Sequence, residues 1–208
     1  LSIQIDAKLL DRAKQAFIES VRVKNELINN NGLDILVNMA ETISLSIKHG
    51  GKLLLCGNGG SAADAQHLAG ELLVRLRSRV NRRSLPAIAL TIDPVTMTAT
   101  GNDYSFEDIF ARPLAGLGVA GDVLLGITTS GKSPNVIKAL KLARDLGIKT
   151  LGFLGAGGGE ATQFCDQAFI VPSSITGRVQ ESHITAGHVM LELLEEMLIA
   201  DGYMQQEN

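Results

Sequence analysis

The segment Lys52-Leu53-Leu54-Leu55-Cys56-Gly57-Asn58-Gly59-Gly60-Ser61-Ala62-Ala63-Asp64-Ala65-Gln66-His67-Leu68-Ala69-Gly70-Glu71 decides the fold. Its opening apolar run has no polar alternation, the pattern of a strand buried on both faces in a parallel sheet. The glycines that follow permit a tight turn and a close approach of backbone to ligand. From about Ser61 the residues suit a helix, whose free N–H groups would face an anion or a sugar oxygen beyond the strand's carboxyl end. His67 and Glu71 stand i, i+4 on that helix, so they share a face and could bind one metal ion or flank one substrate.

The same texture recurs downstream. PAIALTI at 86–92, DVLLGI at 122–127, KTLGFLG at 149–155 and QAFIVP at 167–172 are short apolar runs alternating with helical segments. Together these runs predict a doubly wound, flavodoxin-like α/β fold, a five-stranded parallel sheet with helices on both faces. Two helices precede it. Leu9, Leu10, Ala13, Phe17 and Val21 fall near a period of 3.6, as do Leu36, Met39, Ala40, Ile43 and Ile47 after the break at Asn29-Asn30-Asn31-Gly32. Gly50 and Gly51 end the second helix. A long C-terminal helix from about 178 to 200, apolar at Ile184, Leu191, Leu194 and Leu198, closes the chain. One domain is therefore expected over residues 1–208, with 1–50 as a helical extension and 51–208 as the α/β core and C-terminal helix.

A chain of 208 residues, 45% of them hydrophobic, supplies one sizeable core. Its net charge of -3 argues against a dedicated nucleic-acid binder, which needs a Lys/Arg excess to neutralise phosphates. Small anionic substrates remain compatible, because they require only a local positive site. No apolar run approaches the roughly 18 residues of a membrane span, and the N-terminal LSIQIDAKLLDRAK carries no signal-peptide pattern. Cys56 and Cys165 are too far apart to make a spaced metal or disulfide framework, so the expected location is the reducing cytoplasm. Five arginines between Arg75 and Arg83 form the one basic cluster of an acidic chain and read as a solvated loop, with Arg75 one turn beyond Glu71 and able to face it.

In doubly wound sheets ligands bind beyond the carboxyl ends of the strands, and three of those loops are unusual. After the first strand, Gly57, Gly59 and Ala62 only partly match a dinucleotide fingerprint, and Asp93, the acidic residue ending the second strand, comes about 30 residues on instead of about 20. After the third strand, Thr128-Thr129-Ser130-Gly131-Lys132-Ser133 places four hydroxyls ahead of Pro134, which suits the first position of a helix capped by Ser133. Hydroxyls, a glycine and a helix N-terminus together make a phosphate cradle. Thr100-Gly101-Asn102-Asp103-Tyr104, between the second strand and the next helix, reads as a turn in reach of a ligand. A further group, Gln180-Glu181-Ser182-His183-Ile184-Thr185-Ala186-Gly187-His188, holds two of the chain's four histidines, and His49 needs no role. Gln180 and His188 are about 12 Å apart along a continuous helix. To meet at one ion, either the helix begins after Gln180 or the two come from different subunits.

The motifs CGNGGSAADAQHLAGE, AIALTIDPVTMTATGNDYSFEDIF, GDVLLGITTSGKSPNV and RVQESHITAGH, in this order behind two leading helices, resemble the sugar isomerase (SIS) domain family and, within it, the sedoheptulose 7-phosphate isomerases. The resemblance implies that Asn58, Gly59, Gly60, Ser61, Asn102 and Asp103 contact a sugar phosphate, joined by Glu71 and Gln180, and that Thr128, Thr129, Ser130 and Ser133 hold its phosphate. It implies His67, Glu71, Gln180 and His188 as ligands of one zinc per subunit, and Glu71 and His188 as the acid/base pair. It further implies a homotetramer with sites between subunits. The implied reaction is aldose-ketose isomerisation of sedoheptulose 7-phosphate to D-glycero-D-manno-heptose 7-phosphate through an enediol(ate), opening heptose precursor synthesis for lipopolysaccharide or surface polysaccharide. Two positions depart from the family pattern: Thr128 stands where serine is commoner, and Gly177 where some members carry an assisting aspartate. A different class is represented in the same family by a non-catalytic tetrameric regulator that binds a replication initiator. That regulator lacks the glutamate and last histidine, whereas Glu71 and His188 are both present here, which favours the enzyme. A hexose or pentose phosphate is a further alternative, because the seven-carbon choice rests on the resemblance.

Overall fold

The apolar runs form five strands: β1 (Leu53–Gly57), β2 (Ala87–Ala89), β3 (Val123–Thr128), β4 (Lys149–Leu154) and β5 (Gln167–Ile170). All pairings are parallel, in the order β2-β1-β3-β4-β5. The structure, a computed structural model, describes residues 6–30 and 32–205. Asn31 of the expected break and the first five residues of the N-terminal stretch lie outside the described residues.

Along β1, Leu53 and Leu55 enter one apolar cluster while Leu54 and Cys56 enter another, and β3 divides Val123, Leu125 and Ile127 from Leu124 in the same way. Both faces being covered is why these runs carry no polar alternation. Each fully buried leucine here contributes about 2 kcal/mol by its removal from water. Helices α1 (Ala7–Asn29), α2 (Gly32–Lys48) and α3 (Gly60–Leu73) cover the first face with the C-terminal helix, and α4 (Pro94–Asp103), α5 (Ala111–Leu117) and α6 (Pro134–Asp145) lie on the second. The C-terminal helix, α7 (Thr176–Ala200), is unbroken, so it does not begin after Gln180. No described helix is long and apolar enough to cross a membrane.

Three sequence expectations change. The turn expected at Thr100–Tyr104 is the last turn of α4, ending at Asp103. That helix starts early because the Asp93 carboxylate accepts from the Val95 and Thr96 N–H groups at 2.9 and 3.2 Å, with Pro94 in the first turn. Asp93 is thus a helix cap. The apolar stripe of α2 is buried as expected, but on α1 only Val23 and Leu27 are, while Leu10 and Phe17 are 61% and 77% exposed. A single chain offers that part of α1 no apolar surface.

The arginine-rich segment is a solvated loop only in part: Arg75, Arg79 and Arg83 are exposed, but Arg77 and Arg82 turn inward. Arg82 is buried, donating from Nε to Glu195 Oε1 at 2.6 Å and from its two terminal nitrogens to the carbonyls of Leu72 and Glu71 at 2.9 and 2.8 Å. Arg77 donates to the other oxygen of Glu195 at 2.9 Å and to Glu196 at 2.8 Å. Glu195 is fully buried on α7, and a buried carboxylate requires such partners. Arg75 is exposed, and it is Arg82 that reaches the backbone of Glu71.

Candidate active site

The strand order reverses direction between β1 and β3, so their following loops diverge and open a crevice there. On the β1 side, Gly59 adopts φ 55°, ψ -120°, a backbone conformation that L side chains rarely adopt. Gly60 begins α3, and a methyl group there would collide with the amide of Gln180. These two glycines therefore have separate causes, one in backbone conformation and one in the approach of α7.

On the β3 side, Thr128 Oγ1 lies 2.9 Å from Ser133 Oγ and 3.4 Å from Ser130 Oγ, and the Lys132 N–H donates to Ser130 Oγ at 3.2 Å. Ser133 occupies the residue before α6 as expected, but its hydroxyl makes no cap bond and turns to Thr128 instead. Pro134 has no N–H and the Val136 N–H donates to the Asn135 side-chain oxygen at 2.9 Å, so in the first turn of α6 it is the Asn135 N–H that is left to face an anion. Gly131, at φ 64°, lets this loop lie against Gly158, and its carbonyl accepts from Ala161 N–H at 2.9 Å.

The two loops are tied by a residue the sequence reading missed. Asn135 exchanges two amide hydrogen bonds with Asn58, each 2.8 Å, and is 2% exposed. Its sequence signal was a polar residue four positions before the buried Ala139 on α6. Asn58 is thereby held across the crevice mouth.

Two to three turns into α3 and halfway along α7, three of the expected side chains meet. His67 Nε2 lies 2.8 Å from His188 Nε2 and 3.3 Å from Glu71 Oε1. One ligand atom from each of the three falls within 4.8 Å of the others. When the two facing Nε2 atoms share a hydrogen bond, one ring donates and the other accepts, so their tautomers are linked. The Glu71 side chain is 19% exposed, less than half the exposure of His67. Asp64, also missed, is buried nearby with Oδ2 unpaired. Burial pushes its carboxyl above the ordinary range, and the His67 and His188 imidazoles pull the other way.

A nitrogen, nitrogen and carboxylate-oxygen set with an open fourth position suits zinc, and these three residues fit such an ion. Gln180 lies against Gly60 in the same chain, about two turns of unbroken α7 before His188. Asn102 and Asp103 are exposed at the end of α4, where the Asn102 amide donates to Asp103 Oδ1 at 2.7 Å. His183 is a core residue. Its Nε2–H donates to the Leu154 carbonyl at 3.1 Å, its ring stacks on Phe153, and burial pushes its pKa down to about 4.

A parallel sheet with a glycine loop and a hydroxyl loop facing across its switch point defines the class, and the SIS domain family model matches residues 16–155. The chain belongs to that family. Phosphoheptose isomerases of Aquifex aeolicus and Chlorobaculum parvum are 52% and 50% identical to it, the first over 91% of this chain and 98% of the relative, the second over 88% of each. The structure of phosphoheptose isomerase from Neisseria gonorrhoeae superposes with a TM-score of 0.84 at 39% identity, covering 90% of this chain and 99% of that one. Within the SIS family, the chain belongs with the phosphoheptose isomerases.

Proposed function

We propose that this protein isomerises sedoheptulose 7-phosphate to D-glycero-D-manno-heptose 7-phosphate, supplying heptose precursors for surface polysaccharide. The observation that carries the reading is the meeting of Glu71 with His67 and His188 beside a hydroxyl-lined helix N-terminus, in a chain half identical to phosphoheptose isomerases.

The hydroxyls of Thr128, Thr129, Ser130 and Ser133 and the N-terminus of α6 anchor the phosphate, which brings C1 and C2 of the sugar to the far end of the crevice. Asn58, steadied by Asn135, and the backbone of Gly59, Gly60 and Ser61 bind sugar oxygens, with Asn102 and Asp103 as further contacts. Glu71 and His188 form the acid/base pair. One takes the proton from C1 of the ketose and returns it to C2, while the other moves a proton between the two oxygens, through an enediol(ate). His67, Glu71 and His188 would hold a zinc ion, and such an ion would supply Lewis-acid polarisation of the substrate oxygens. Gln180, placed against Gly60, serves the substrate in its own chain and would reach a metal only from a neighbouring subunit.

A homotetramer in the cytoplasm completes the reading. Its support is the exposed apolar stripe of α1 and an apolar groove of about 290 Å³ between α1, α2 and α7, lined by Leu27, Ile28, Leu33 and Val189 among others. Proton NMR of the protein with a panel of five-, six- and seven-carbon ketose phosphates tests the function. The seven-carbon ketose should give the manno-configured aldose, and conversion of only a shorter sugar, or of none, would overturn the assignment.

A further inference from the structure

We propose that Arg82 is a positioning residue, a clamp that sets the axial register of α3 against α7 and so brings Glu71 and His67 to His188. The inference rests on the functional reading above, and it concerns a part of the chain outside the crevice.

The two helices run parallel and touch at successive levels. Gly60 meets Gln180, Gly187 admits the side chain of Leu68, His67 meets His188, and Arg82 then spans from α3 to Glu195. Glu195 is seven residues beyond His188, almost two full turns, so both project from one face of α7. On α3, the Glu71 and Leu72 carbonyls belong to the last turn, beyond which the helix has no N–H groups to offer; the Leu72 carbonyl also accepts from the Leu85 N–H at 3.0 Å, whereas the Glu71 carbonyl relies on Arg82. A single buried guanidinium answers both needs, with two donors to those carbonyls and Nε to the Glu195 carboxylate. Sliding α7 by one residue would move His188 and Glu195 about 1.5 Å along the axis, away from a guanidinium held on the α3 carbonyls, and break the charge-assisted Arg82–Glu195 bond.

The remaining levels do not fix this register. A glycine facing Leu68 permits approach but has no directional bond, and the facing imidazoles are themselves the pair to be aligned. Arg77 reinforces the clamp by taking the second oxygen of Glu195, which leaves that carboxylate no freedom to rotate away. Arg82 touches neither the Gly57–Ser61 nor the Thr128–Ser133 loop, so its effect is confined to the acid/base and metal end of the site.

Arg82→Lys and Glu195→Gln test this in the full chain. Lysine keeps the charge but lacks the fork that reaches three acceptors at once. Glutamine keeps the shape of Glu195 and an oxygen that can accept from Arg82 but removes its charge, so it tests the clamp independently from the α7 side. Both should weaken binding of zinc alone, titrated against a chromophoric chelator, by about tenfold and lower kcat by about tenfold while KM stays unchanged. Nitrogen-15 spectra of the histidines should show the His67 and His188 signals displaced. Parent-like zinc affinity and kcat in a folded variant would overturn the proposal, as would a KM rise equal to the loss in kcat. Failure of the parent itself to convert the sugar would reject the functional reading, whereas the register proposal would still stand or fall on whether the His67 and His188 signals move.

Discussion

Burial holds the His183 imidazole neutral, with its pKa pushed down to about 4 and its Nδ1 left without a partner. Between that value and the ordinary value near 6.5 the unfolded chain takes up a proton that the native chain refuses, so stability rises with pH across this window and is lost as pH falls through it. The full window is worth about 3 kcal/mol. His183→Leu should flatten the slope of unfolding free energy between about pH 4.5 and 7 in urea titrations; an unchanged slope would assign the acid sensitivity to other groups. Glu71→Gln keeps the side-chain shape but removes its basicity, and turnover should fall about a hundredfold or more. Near-parent turnover in the folded variant would remove Glu71 from the acid/base pair. His67 and Glu71 were legible in sequence as an i, i+4 pair on one helix, whereas His188, five residues from the buried His183, was marked out only by the family resemblance. Arg82 and Asn135 were not legible, because Glu195 is 113 residues from the one and Asn58 is 77 from the other.

The loop between β3 and α6 shows how an element can be recognised while its side chains do something else. Hydroxyls followed by Pro134 located the helix start correctly, yet the Ser133 hydroxyl bonds Thr128 within the loop. Gly131 fixes that loop's shape, since φ 64° is strained for any L side chain and a methyl group would strike the Gly158 carbonyl. Gly131→Ala should cost about 1 kcal/mol from backbone conformation alone, more from the collision, and should raise KM for the sugar phosphate. Parallel denaturation and steady-state kinetics would check both, and an unchanged KM would detach the loop from phosphate binding. The start of α4 carried its signals plainly, an aspartate before a proline, but Asp93 also ends an apolar run. Which element owns such a boundary residue depends on the hydrogen bonds it finally makes.

At the scale of the whole molecule, α1 presents Leu9, Leu10, Phe17 and Val21 to solvent in a single chain. Such a stripe is costly to leave wet, and it supports the proposed homotetramer. Leu10→Glu together with Phe17→Glu should lower the solution mass measured by light scattering below that of a tetramer, with the circular dichroism retained. A parent-like mass would move the interface elsewhere. The periodicity of apolar residues by itself determined the five parallel strands, their flanking helices and the loops where a ligand sits, because burial on both faces of a sheet imposes a local pattern. Only the tertiary structure decided that α7 runs unbroken past Gln180, that His188 meets Glu71 within one chain, and that Arg82 is buried between them and Glu195. Those outcomes depend on the relative placement of helices distant in sequence, and the long-range pairing of charges that fixes such placement has no local period to read.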